Sequence, residues 1–142
     1  MEPGTQFSVE QCPSSINQQS KMKGIPYSKA IGSVLWAAVV SRSDIAYATG
    51  TLSQFIQNLG YTHWEGVKWI IVYLGSTKDK WLTFGGKTET GIQRYCDADW
   101  AGQKHHHSIS GYSFHFRIGA VTWSSKKQHI IVLSSTEAEY IA

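Results

Sequence analysis

Cysteine is nearly absent: Cys12 and Cys96 are the only two in 142 residues. Two thiols cannot build a disulfide framework, and their scarcity fits a reduced, intracellular protein. No apolar run approaches the roughly 18–20 residues needed to span a bilayer. The opening MEPGTQFSVE lacks the basic-then-apolar order of a secretion signal, so no membrane partner is expected. Acids are few as well, 10 against 13 lysines and arginines, and from Trp100 to Thr136 there is none. That window holds Lys104, Arg117, Lys126, Lys127 and five of the six histidines, with Asp97 and Asp99 before it and Glu137 and Glu139 after. A basic, aromatic-interleaved stretch framed by carboxylates fits a polyanion brought up to a metal site. The plainer explanation, a polar face of two strands, stays open.

Apolar residues are not lacking. They make up 42% of the chain, enough for a core, which excludes global disorder. Residues 1–25 are polar and aperiodic and read as a leader or linker. From Pro26 the period is helical: Tyr27, Ile31, Val34, Leu35 and Ala38 share a stripe. A second helix is predicted from about Asp44, capped by Ser43 or Asp44, with Ile45, Ala48, Leu52, Phe55 and Ile56 inward and Asn58 and Gly60 as its stop. A third is predicted from Thr62, where THWE spells a Thr62–Glu65 capping box; Trp64, Val67, Ile70, Ile71 and Leu74 follow, and Gly75 ends it.

Past GSTKDK the period becomes that of strands. WLTFGG, GIQRYCDAD, GYSFHFRIG, AVTWSSKK and HIIVLS are each predicted as strands, with Tyr112, Phe114, Phe116 and Ile118 on one face. The strand ending at Asp97 should pair antiparallel with the one holding Tyr112 to Ile118, and that one with Val121–Ser124. In SSTEAEYIA, Ser134 and Glu137 form a second capping box and open a helix, with Glu137 as its cap residue. The helix reaches only about two turns, and the chain reads as cut in mid-element. The fold class is α+β: a small helical bundle followed by a partial mixed sheet with antiparallel first strands.

Asp97 ends a strand, and Glu139 lies in the first turns of a helix that follows later strands. Such a helix can cross the sheet and bring the two carboxylates together. Clustered carboxylates suit hard divalent ions, which take oxygen ligands. The acids of YCDADWAG can equally form an ordinary turn at a strand end. The triple histidine of QKHHHSISG reads as a solvated loop rather than a ligand set.

The motifs YCDADWAG, SISGYSFHF and VTWSSKKQHIIVLSSTEAEYIA resemble the ribonuclease H domain of copia-type retrotransposon Pol polyproteins. IPYSKAIGSVLWAAVVSRSDIAYA and HWEGVKWIIVYLGST resemble the C-terminal end of the same polyprotein's reverse transcriptase. SISGYSFHF and SSKKQHIIVLSSTEAEYIA are especially like elements of mushroom-type fungi. The resemblance implies reverse transcriptase thumb or connection helices over 26–80 and a truncated ribonuclease H-like domain over 81–142. By resemblance, Asp97 and Glu139 are catalytic and metal-binding. Asp99 is an outer neighbour, and Lys104, Lys126 and Lys127 are candidates for nucleic-acid contact. The resemblance further implies Mg²⁺ (or Mn²⁺), an RNA–DNA hybrid as substrate, and the rest of the polyprotein as partner. The family's further acidic ligands would fall beyond Ala142, so this chain alone is expected to hold metal weakly and to be inactive. Two other readings remain: a non-catalytic module that binds nucleic acid or protein, and an unrelated α+β protein whose acids decorate turns.

Overall fold

The polar opening of the chain carries structure. In the computed structural model, which describes residues 7–84, 91–100 and 107–142, a 3₁₀ turn spans Val9–Gln11 and helix α1 spans Ile16–Met22. The Ser15 hydroxyl caps α1 by accepting the Gln18 amide at 3.3 Å. Phe7 packs against the helical core. The chain divides into two units, Met1–Asp79 and Lys80–Ala142.

In the first unit, α2 spans Tyr27–Val40, α3 Ala46–Ser53 and α4 Tyr61–Ser76. Tyr27, Ile31, Val34 and Ala38 of α2 meet Ile45, Leu52, Val67 and Ile70 in one buried cluster. That cluster follows the predicted stripes. Leu35, Ile56 and Ile71, predicted inward, are exposed. The Tyr27 hydroxyl reaches across the core and donates to the Leu52 carbonyl at 2.8 Å. Burial first, and Cys12 second, push this phenol up to about 12.

Four helix boundaries differ from those predicted. Ser43–Ile45 is a 3₁₀ turn ahead of α3, and neither Ser43 nor Asp44 caps the helix. Asp44 instead takes Arg42, at 2.8 and 3.0 Å, and the Tyr73 hydroxyl at 2.8 Å. Helix α3 stops at Ser53, before Asn58 and Gly60, and beyond its end Phe55 stacks on His63 with ring centres 3.8 Å apart. Helix α4 starts one residue before Thr62, and the Thr62–Glu65 box does not form. His63 Nδ1 accepts the Gly60 amide at 2.9 Å, and Gly60 is the cap. A side chain at Gly60 would overlap the Gln11 carbonyl oxygen, so the docked opening segment requires glycine there. Gly75 stays inside α4, which continues through Ser76.

In the second unit, β1 (Ile92–Asp99), β2 (Ile109–Phe116) and β3 (Gly119–Lys127) form an antiparallel sheet in that order. The predicted pairing is found, with Cys96 opposite Tyr112, Asp97 opposite Gly111 and Tyr112 opposite Ser124. The β2–β3 turn falls on Arg117 and Ile118, with Arg117 in the left-handed region at φ 57°, and the register shifts between Phe114 and His115. Residues 81–84, predicted as a strand, have no regular structure. Neither does HIIVLS: the Val132 carbonyl accepts the Trp100 indole N–H, and the Leu133 amide goes to Glu137. Two backbone groups there are taken by side chains rather than by a strand partner. Helix α5 spans Ser135–Ile141, with the Ser134 hydroxyl accepting the Glu137 amide at 3.2 Å as predicted.

Candidate functional site

Strand β1 carries Asp97 and Asp99 on one face, because alternate residues of a strand point the same way. Across the sheet, Asp97 stands opposite Gly111 and Gly111 opposite Ser125; Asp99 stands opposite Ile109 and Ile109 opposite Lys127. Lys127 therefore shares the aspartates' face, whereas Lys126, opposite Ser110 and through it Ala98, is on the other. The two neighbouring lysines are turned to opposite sides of the sheet. Lys104 lies outside the described residues, as do His105 and His106 of the triple histidine.

Helix α5 packs against β1 and β2. Its start is fixed locally by the Ser134 cap and by the Glu137 carboxylate, which accepts the Leu133 amide at 2.8 Å. Glu139, one turn further on, accepts the Ala98 backbone N–H through Oε1 at 3.3 Å. Ala98 sits between the two aspartates. The helix following three strands thus returns its carboxylate to the end of the first strand. Asp97, Asp99 and Glu139 are all exposed there.

Two side chains that the sequence reading passed over hold this corner together. Trp100 donates its indole N–H to the Val132 carbonyl at 3.4 Å, tying the end of β1 to the segment that enters α5. Its signal was available, an indole donor directly after paired carboxylates. Gln128 donates its amide to the Ser110 hydroxyl at 2.7 Å and to the Ala138 carbonyl at 3.0 Å. It stands in a polar run where nothing in the sequence marks it out.

The donor chemistry fits a divalent cation, since hard ions take carboxylate oxygens. The donor number falls short. Among the described residues no three of His, Cys, Asp and Glu gather into a group able to hold a metal. Asp97 and Glu139 are two carboxylates, fewer ligands than a pair of ions about 4 Å apart would need. No helix among the described residues is long and apolar enough to cross a membrane.

No family model matches the sequence, and no solved structure matches it. Curated proteins do. A retrovirus-related Pol polyprotein from transposon TNT 1-94 of Nicotiana tabacum is 45% identical over 137 residues, which is 96% of this chain but 10% of the polyprotein. A secreted RxLR effector protein 161 of Plasmopara viticola is 44% identical over 122 residues, 85% of this chain and 86% of that protein. A putative transposon Ty5-1 protein of Saccharomyces cerevisiae is 36% identical over 119 residues, 82% of this chain and 38% of its own length. The chain spans about a tenth of the tobacco polyprotein, and both its helical and its sheet unit fall within the matched length. Over most of its length the chain is thus similar to a region of copia-type retrotransposon Pol polyproteins.

Proposed function

We propose that this chain is the region where the reverse transcriptase ends and the ribonuclease H domain begins, and that Asp97 and Glu139 are two of the carboxylates used to hydrolyse RNA in RNA–DNA hybrids. One observation carries the reading: Glu139 accepts the Ala98 N–H, which brings a helix carboxylate to the strand end that bears Asp97. In this reading the two hold Mg²⁺ or Mn²⁺ together with ligands from elsewhere in the polyprotein. A bound ion would supply charge neutralisation and an activated water. The chain's own part is to fix the carboxylates: Asp97 by the β1–β2 ladder, Glu139 by α5. Lys127, on the Asp97 face, is the better placed lysine for a phosphate of the hybrid. The two free cysteines support an intracellular setting, and the fungal likeness of the motifs belongs to this reading as well.

The test is hybrid cleavage with Mg²⁺. The 142-residue chain should cleave negligibly, whereas a polyprotein segment containing it should cleave. Asp97→Asn or Glu139→Gln in that segment should each cost about 10²–10³-fold, the scale for losing one preorganised electrostatic group. Unchanged cleavage in Asp97→Asn would remove Asp97 from the site.

A second reading has one observation in its favour: a relative of nearly the same length is named as an effector, not as part of a polyprotein. On that reading the chain is a stand-alone, non-catalytic module that binds nucleic acid or a protein. Hybrid binding by the 142-residue chain that persists in Asp97→Asn, with no cleavage by the longer segment, would favour it.

A further inference from the structure

Glu139 reaches β1 only if α5 is held at the right height and rotation. Its own cap cannot do this, because Ser134 and Glu137 bond within residues 133–137 and fix where the helix starts, not where it lies. The tie from sheet to helix is Gln128, the residue after β3, whose side chain is almost wholly buried, at 6% exposure. Its backbone N–H donates to the Ser108 carbonyl at 2.8 Å, and its carbonyl accepts from His107 Nδ1 at 3.0 Å, which pins the residue beside the start of β2. From there the side-chain amide spans two elements. It donates to Ser110 Oγ on β2 and to the Ala138 carbonyl in α5. A carbonyl can only accept, so the nitrogen must face Ala138 and the amide orientation is determined.

Ser110 is opposite Ala98 in the ladder, and Ala138 directly precedes Glu139. One amide group therefore joins the cross-strand neighbour of Ala98 to the chain neighbour of Glu139. Gln128 Oε1, by contrast, is buried without a hydrogen-bond partner among the described residues. An aliphatic side chain of similar length would fill the space without stranding an acceptor. What distinguishes glutamine here is its pair of donors, and both are spent on placing α5.

We infer that Gln128 is a positioning residue that sets Glu139 against the Asp97–Asp99 corner of β1. The inference rests on the proposed role of Glu139 for its functional meaning, although the tie itself does not depend on any metal. Removing a partner that orients a metal ligand typically weakens metal affinity about 10–100-fold.

The test is a coupling measurement in the full 142-residue chain by amide NMR. Glu139→Gln should shift the Ala98 amide in the native background. In Gln128→Met, which keeps the length and removes the donors, the same substitution should lose most of that shift, while amides of the β2–β3 hairpin stay in place. Mn²⁺ broadening of the residues around Asp97 should need about 10-fold more ion in Gln128→Met. If Gln128→Met unfolds, Ser110→Ala removes one end of the tie and should reduce the coupling in part. An Ala98 amide that responds to Glu139→Gln equally in the native and Gln128→Met backgrounds would overturn the inference. A merely stabilising glutamine would give that result with a lowered unfolding midpoint. Coupling that depends on Gln128 in a chain that binds no Mn²⁺ would support the inference and count against the proposed function.

Discussion

The helical unit and the sheet unit solve the same problem differently. In residues 27–70, eight apolar side chains bury one another to 4% exposure or less, and a tyrosine hydroxyl inside the cluster is hydrogen-bonded. In the sheet unit the strands are paired along nearly their full length, with Val121 left out at the register shift, yet Ile92, Tyr95, Tyr112, Phe116, Ile118 and Val121 remain exposed. Among the described residues of this unit the buried apolar ones are few: Ile109, Ala120, Val132 and Ala138. Helices satisfy their backbone locally and here find a shared core. The sheet satisfies its backbone across strands but leaves much apolar surface uncovered. The candidate site lies on the less covered of the two, where α5 is held by a handful of side-chain ties rather than by a large core.

The comparison breaks most visibly if the helical core can be emptied without loss. Leu52→Ala should destabilise the helical unit by about 2–5 kcal/mol, as expected for a fully buried leucine, and leave the sheet amides unshifted. Urea unfolding followed by helical circular dichroism checks it. Gly60→Ala comes next. Its methyl group would collide with the Gln11 carbonyl and should cost about 1–3 kcal/mol while releasing residues 7–12. Their amides should then lose protection from exchange. In the unsubstituted chain the helical amides should exchange more slowly than those of 110–134, and the reverse order would undo the contrast.

A smaller effect sharpens the contrast through pH. Burial holds the His63 imidazole below the ordinary histidine range, against a weaker raising effect from the Ser8 backbone. The folded state therefore favours neutral His63. The stability this contributes is fully present above the unfolded value of about 6.5 and is lost as pH falls through the lowered folded value. Protonation would also remove the lone pair that accepts the Gly60 amide. The thermal midpoint of the helical unit should fall on acidification, and His63→Gln, which keeps an acceptor, should flatten that dependence.

What the sequence made legible follows the same division. The period-2 alternation of Tyr112, Phe114 and Phe116 and the short link to β3 fixed the sheet's pairing, and Ser134 with Glu137 marked the start of α5. The α4 cap was missed because the acceptor is a histidine ring, and Thr-x-x-Glu one residue along offered a more familiar pattern. HIIVLS is a short, β-branched apolar run of the kind that forms strands, but Trp100 and Glu137 take its backbone groups, and a local pattern cannot reveal ties to residue 100. Asp97 was legible as a carboxylate at a strand end, although β1 runs two residues further, and Glu139 as one in the first turns of a helix that follows later strands. Glu139 is brought to the Ala98 amide next to Asp97 with the help of Gln128, whose partners are 10 and 18 residues away.

The most direct measurement of the central claim is an Mg²⁺ titration of the 142-residue chain, following every backbone amide. The account predicts weak, saturable shifts confined to residues 96–100 and 138–140, abolished by Asp97→Asn. Shifts that centre elsewhere, or that survive Asp97→Asn unchanged, would contradict it.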